Sequence, residues 1–216
     1  GYGELNLSAG LIDIDASFVL SDGAGGNSVV NQTGGQIDVA TQLFVGKDST
    51  ATWTMTDGTV NVGERLLLGV FANGVGVVDQ SGGTVNVTGE YTANEGWDFG
   101  MGWGNNAKGT YNLSGGSLVV EYDSMVGRAA TNTAVMDITG GVFKTGYGTA
   151  GEEARDLVLG SLANGVGIVN LSDTGTLDVA GNIVTGDGQG RFNLDGSTLI
   201  VGGGTIGGDR MTVAIG

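Results

Sequence analysis

The sequence predicts an all-β chain: a right-handed parallel β-helix, or β-solenoid, of about eight coils with three short strands in each. Three observations predict it. A phrase of the form Tyr111-Asn112-Leu113-Ser114-Gly115-Gly116-Ser117-Leu118-Val119-Val120 recurs eight times, opening at Leu5, Val30, Trp53, Val78, Tyr111, Met136, Val169 and Phe192. The residue after each opening (Asn6, Asn31, Thr54, Asp79, Asn112, Asp137, Asn170, Asn193) steps along the chain by 25, 23, 25, 33, 25, 33 and 23 residues. Such a period marks a stacked architecture in which insertions bulge out as loops while the core keeps its length. Third, no segment keeps a 3.6-residue apolar period, and glycine, 45 of 216 residues, interrupts every repeat, so helix is disfavoured.

The first strand of each coil is the alternating stretch typified by Thr110-Tyr111-Asn112-Leu113-Ser114, with Tyr111 and Leu113 facing in. A Gly-Gly or Asp-Gly turn follows and supplies the positive φ of a sharp corner. The second strand, as in Thr84-Val85-Asn86-Val87 or Gln36-Ile37-Asp38-Val39, again alternates. The third is an apolar triplet closed by glycine: Leu43-Phe44-Val45-Gly46, Leu66-Leu67-Leu68-Gly69 and Leu157-Val158-Leu159-Gly160. Eight coils at a strand spacing of about 4.8 Å give a rod about 38 Å long. Its interior is expected to hold one row from Leu5 to Phe192 and a second of Ile12, Ile37, Val60, Val85, Leu118, Phe143, Leu177 and Leu199. The Asn and Asp residues after each opening form an outward ladder, which stabilises stacked strands by amide pairing. Residues 1–216 read as one solenoid domain with insertions near 88–105 and 145–156.

Composition narrows the function classes. Eight Lys and Arg against 23 Asp and Glu give a net charge of −15, which removes the basic face that nucleic acid needs. Acidity also keeps a long β surface soluble. The absence of Cys excludes a disulfide scaffold and a thiolate metal site, and it suits a protein exported unfolded. No apolar run approaches the roughly 18–20 residues of a membrane helix. Neither a leader nor an initiator Met precedes Gly1, the start expected of a processed product or an excised piece.

The phrases Asn112-Leu113-Ser114-Gly115-Gly116, Asn31-Gln32-Thr33-Gly34-Gly35 and Asp79-Gln80-Ser81-Gly82-Gly83-Thr84-Val85-Asn86-Val87, each followed by a strand such as Leu66-Leu67-Leu68-Gly69 or Leu43-Phe44-Val45-Gly46, resemble the β-helix repeats of large bacterial surface proteins, including autotransporter passenger domains and their passenger-associated repeats. The resemblance covers essentially the whole chain. It implies a parallel β-helical adhesin, matrix component or stalk at the cell surface or outside the cell, and it carries no shared catalytic residues.

With His and Cys both absent, carboxylates are the groups left for metal or acid–base chemistry. Asp13 stacked on Asp38 is a weak Ca²⁺ candidate, and no other cofactor is expected. The two insertions gather Tyr91, Glu95, Trp97, Phe99 and Trp103 with Tyr147, Glu152, Glu153, Arg155 and Asp156. Glu121, Tyr122 and Asp123 of the coil between them complete an aromatic and acidic patch suited to a glycan or a protein. The outward residues of the third strands are expected to be Val19, Phe44, Leu67, Asp98, Met125, Val158, Val184 and Ala214, an apolar row that something must cover. A second rod, the insertion loops, or an in/out phase shifted by one residue each account for it. Asn-x-Ser/Thr sequons at Asn6, Asn31, Asn86, Asn112 and Asn170 follow from the repeat itself.

The chain enters on a first strand, Glu4-Leu5-Asn6-Leu7, and is expected to stop on a third strand, Val213-Ala214-Ile215-Gly216, so that it holds a whole number of coils. Leu5, Leu7, Val213 and Ile215 are then end contacts of a head-to-tail stack. Three functions follow in order. The first is an extracellular structural solenoid that self-associates end to end, and laterally, into a filament or surface matrix. The second is an adhesin or glycan-binding passenger segment using the insertion aromatics. The third is a polysaccharide-active enzyme.

Overall fold

A computed structural model of the chain describes residues 1–89, 97–129, 132–148 and 155–216. Among them there is no helix, and the strands stack as a parallel β-solenoid in which each strand pairs with its counterpart one coil away. Coil 1 comprises Tyr2–Leu7, Leu11–Ile14 and Phe18–Leu20. In coils 2 and 3 the first two strands run together, as Asn27–Val39 and Thr50–Val62, before Gln42–Val45 and Arg65–Leu68. Coil 4 is Val75–Gln80, Thr84–Val87 and Trp97–Met101, and coil 5 is Lys108–Leu113, Ser117–Val120 and Asp123–Val126. Coil 6 is Thr133–Ile138, Val142–Thr145 and Leu157–Leu159, and coil 7 is Val166–Ser172, Thr176–Val179 and Ile183–Thr185. Coil 8 is Gln189–Asp195, Thr198–Val201 and the two-residue strand Ile206–Gly207, and a further strand, Met211–Ile215, follows it.

The interior rows fall where period-two alternation places them. Val30, Trp53, Val78, Tyr111, Met136, Val169 and Phe192 stack in register and are buried, as are Ile37 to Leu177 of the second-strand row. The interior of the middle coils is filled by aromatic side chains. Phe99 meets Tyr111 edge-on at 5.9 Å between ring centroids and Phe143 at 5.8 Å. Two glutamines, Gln32 and Gln80, interrupt the apolar filling at the inner position before the first turn. Gln80 is held there by Tyr111, whose hydroxyl donates to its Oε1 at 2.6 Å, while its Nε2 donates to the carbonyls of Gly82, Gly83 and Ser117.

Two expected positions move. In the outward row of the third strands, Gly100, not Asp98, is the residue in register with Leu67 and Met125, and Asp98 is fully buried. Coil 4 has no apolar triplet here: its alternation runs through Phe99 and Met101, which face in, so Gly100 between them faces out. Ala214 also leaves the row. Met211–Ile215 pairs with the first strand of coil 8, Ala214 against Asn193, and begins a ninth coil. The third strand of coil 8 is the short Ile206–Gly207, which ends the row at Gly207. Among the described residues there are therefore nine first strands over eight second and eight third strands, so residues 1–216 do not divide into a whole number of coils.

Candidate functional site

Both insertions leave the solenoid at the corner between second and third strands, and so does the Glu121–Tyr122 segment of coil 5. Tyr91, Glu95, Glu152 and Glu153 lie outside the described residues. Of the remaining patch, Trp97 and Glu121 are half-buried, Tyr122 is buried and Tyr147 is exposed. Trp97 and Trp103 do not share a loop. They flank the third strand of coil 4, Trp97 opening it and Trp103 lying past its end, so only Trp97 belongs to the corner.

The corner is organised by charge and stacking together. Tyr147 follows Gly146 out of coil 6, its hydroxyl donates to Asp178 of coil 7, and Lys144 lies over its ring, 4.3 Å from the centroid. Accepting that hydrogen bond, Asp178 pushes the Tyr147 hydroxyl up to about 12. Gly148 closes over Tyr122, whose ring also carries the Arg155 guanidinium at 5.3 Å. Arg155 in turn approaches the Asp123 carboxylate at 3.4 Å, and the Asp156 N–H donates to the same carboxylate at 3.1 Å. Asp156 accepts from the backbone N–H and the side-chain amide of Asn182 at 2.7 and 3.0 Å. Each carboxylate in this short ladder is thus bound to the coil above it.

Burial raises the Asp123 carboxyl above its ordinary 3.8, against the lowering pull of Arg155 and the Asp156 N–H. The folded protein then holds this proton more tightly than the unfolded chain does. The stability Asp123 contributes is complete below its ordinary value and is lost as pH rises through the raised one. Asp123→Asn is expected to remove that part of the slope. Urea unfolding at a series of pH values checks this, with the wild-type minus variant difference changing across the acidic window and flat above it.

A second aromatic feature lies on the third face. The row Val19, Phe44, Leu67, Met125, Val158 and Val184 points outward, but Leu67, Met125 and Val158 are buried and only Val19, Phe44 and Val184 are half-exposed. Part of the cover comes from the chain itself. Gly100 leaves a slot in the row, and the Trp103 indole folds into it: a Cβ on Gly100 would sit 2.9 Å from the indole Cε3 and 2.8 Å from Leu67 Cδ2. Arg128, one coil above, lies over this indole at 4.3 Å, and Arg65, one coil below, at 5.5 Å. With Lys47 over Phe71 at 5.7 Å, the cations Lys47, Arg65, Arg128, Lys144 and Arg155 each lie against an aromatic ring of the described residues. A cation thus lies against the rings of Trp103, Tyr122 and Tyr147, while Tyr147 stays 44% exposed.

The weak metal candidate joins two neighbouring coils. Asp13 and Asp38 are in register, but Asp38 accepts from Gln36 Nε2 at 2.9 and 2.7 Å and from Asn61 Nδ2 at 2.7 Å. Among the described residues no group of three or more His, Cys, Asp or Glu is placed to hold a metal ion. The amide ladder forms along the first strands, with Asn31 donating to Asn6, Asn112 to Asp79, Asn170 to Asp137 and Asn193 to Asn170 at 2.5–2.9 Å. A second ladder, Asn86 to Asn61 to Asp38, runs beside it.

Sequence reasoning missed the corner after the third strands. Its signal was the repeated Ala72-Asn73-Gly74-Val75-Gly76 and Ala163-Asn164-Gly165-Val166-Gly167, whose Asn73 and Asn164 take φ of 68° and 65°. Of the exposed large apolar residues, Tyr2 and Leu11 lie on coil 1 and Ile200, Ile206, Val213 and Ile215 on the last strands, while Phe71, Val142, Tyr147 and Leu162 lie along the middle coils. The chain matches no protein-family model, no curated protein and no solved structure.

Proposed function

We propose that this chain is an extracellular or cell-surface structural β-solenoid whose end coils join to further copies of itself, building a filament or surface matrix of the kind made by bacterial surface repeat proteins. One observation carries the reading: within residues 1–216 the strands of the first and last layers pair on one side only. Tyr2–Leu7, Leu11–Ile14 and Phe18–Leu20 are paired on one side only, and so are Thr198–Val201, Ile206–Gly207 and Met211–Ile215. Each edge carries inward-facing apolar residues of the rows that run through the rod: Leu5, Leu7 and Ile12 at one end, Leu199, Val213 and Ile215 at the other. Unpaired edges of this kind template strand addition.

The aromatic corner supports an adhesin or glycan-binding role less well, because Tyr122 is buried and Trp97 half-buried, which leaves Tyr147 as its exposed ring among the described residues. Lateral association through the third face has only its Val19–Phe44 and Val184 ends to work with. The test is electron microscopy and sedimentation over a range of protein concentration. Particles that lengthen along one axis as concentration rises are the expected result. Discrete rods of about 4 nm at every concentration would overturn the reading.

A further inference from the structure

The outer face of the first strands carries three columns of side chains. In the central column Val29, Thr52, Val77, Thr110, Val135 and Ile168 stand in register, one per coil, all β-branched and all half-buried. On one side runs the amide ladder, with the carboxylates of Asp79 and Asp137 flanking Asn112. On the other stand Thr50, Val75, Lys108, Thr133 and Val166. Neither insertion interrupts this face. Both leave at the corner between second and third strands, the vertex that a three-sided coil sets opposite its first strand.

Charge and area together point to what covers it. The carboxylates in the three columns are Glu4, Asp79 and Asp137 and the cations are Lys108 and Arg191, so the face is close to neutral on a chain of net charge −15. Glu4 is held within its own strand by Tyr2 and Asn6, at 2.8 and 3.0 Å. A basic partner would be drawn to the acidic corners, whereas a second acidic rod can approach closely only through a face such as this one. Nine first strands at about 4.8 Å, each of six residues at about 3.3 Å, present roughly 850 Å², the share each partner gives to a standard interface. A second copy also has the same coil spacing, so its columns stay in step along the rod.

We infer that two copies pack first face on first face, as parallel rods related by a twofold axis along the rod. This side-by-side contact is additional to the end joint and does not depend on it. Such an axis carries no shift along the rod, so each coil faces the same coil of the other copy and the central column packs on itself. The two flanking columns change places. Lys108 of one copy then faces Asn112 of the other, with Asp79 one coil below and Asp137 one coil above, and the symmetry makes the contact twice. Lys108 is exposed and has no ion-pair partner among the described residues. Asp79 and Asp137 accept through Oδ1 from Asn112 and Asn170 of the next coil, at 2.7 and 2.5 Å, which leaves Oδ2 for an ammonium. A twofold along the strands, with the rods antiparallel, would set the ladder on itself and the Lys108 column on itself, parting these charges.

The chain has no cysteine, so single substitutions report the contact cleanly. Val29→Cys and Ile168→Cys proteins are treated, separately and mixed, with a thiol-to-thiol linker that spans the roughly 10 Å between packed sheets, and the linked peptides are identified by mass spectrometry. Parallel pairing predicts 29–29 and 168–168 links. Adding Lys108→Glu to the Val29→Cys protein is expected to cut its 29–29 link about tenfold or more, and adding Asp79→Lys with Asp137→Lys to do the same. An equal mixture of these two variants is expected to regain the link, since opposite charges then meet at both contacts; loss of fold in either variant could not give that rescue. A 29–168 link in place of the other two would overturn the parallel pairing. Copies joined only end to end hold these residues a rod length apart, so no link at all, from protein that still lengthens in micrographs, overturns the inference and leaves the end joint standing.

Discussion

Gly116→Val is expected to cost roughly 3–5 kcal/mol and to lower the urea midpoint of the whole rod. Two penalties add at this residue. Its φ of 77° lies in the left-handed region that a β-branched side chain strongly disfavours. A Cβ there would also sit 2.3 Å from the Gly83 carbonyl oxygen and 2.7 Å from the Gly82 carbonyl carbon. Both are backbone atoms of the coil below, pinned by their own ladder, so neither side can retreat. Gly10 separates the two penalties. It has a φ of 92° but nothing within 4 Å of a Cβ. Gly10→Val is therefore expected to cost only the strain, about 1–3 kcal/mol. Circular dichroism during urea unfolding measures both, and equal losses would sink the stacking explanation of the glycine pair.

Tyr111→Ala carries the second large effect, about 3–5 kcal/mol, as for other large aromatic truncations in a close-packed core. Tyr111 is fully buried, with Val78 and Met136 in register on either side and Phe99 edge-on to its ring. Its hydroxyl has a separate role. Burial holds it protonated well past the ordinary phenol range, and it donates to Gln80 Oε1 at 2.6 Å. Tyr111→Phe keeps the ring and strands that acceptor. Gln80 Nε2 is already committed to three carbonyls, so a flip of the amide brings no relief. The expected loss is about 1–3 kcal/mol, the desolvation cost of one buried unmade hydrogen bond. A Tyr111→Phe protein as stable as wild type would show that the Gln80 contact contributes nothing net.

The solenoid was legible because two periods reinforce each other. The step between openings places the coils, and the alternation within each strand places Tyr111 or Leu118 inside and Asn112 outside. Where one period fails, so does the reading. Coil 4 lacks an apolar triplet after its insertion, and the outward position fell on Asp98 when Gly100 holds it. In coil 8 the third strand is two residues long, so the alternating Met211-Thr212-Val213-Ala214-Ile215 passed for a third strand when it is a ninth first strand. The stacking of cations on rings was hidden for another reason. Arg65, Trp103 and Arg128 are far apart in sequence and meet only because each coil brings its corner over the last. Trp97 and Trp103 show the converse, near in sequence but held at opposite ends of one strand.

The proposed end-to-end association is a statement about particle length. Cryo-electron micrographs of purified residues 1–216 over a range of protein concentration measure it directly. Particles that lengthen along one axis as concentration rises are the predicted result; discrete rods of about 4 nm at every concentration would contradict the account.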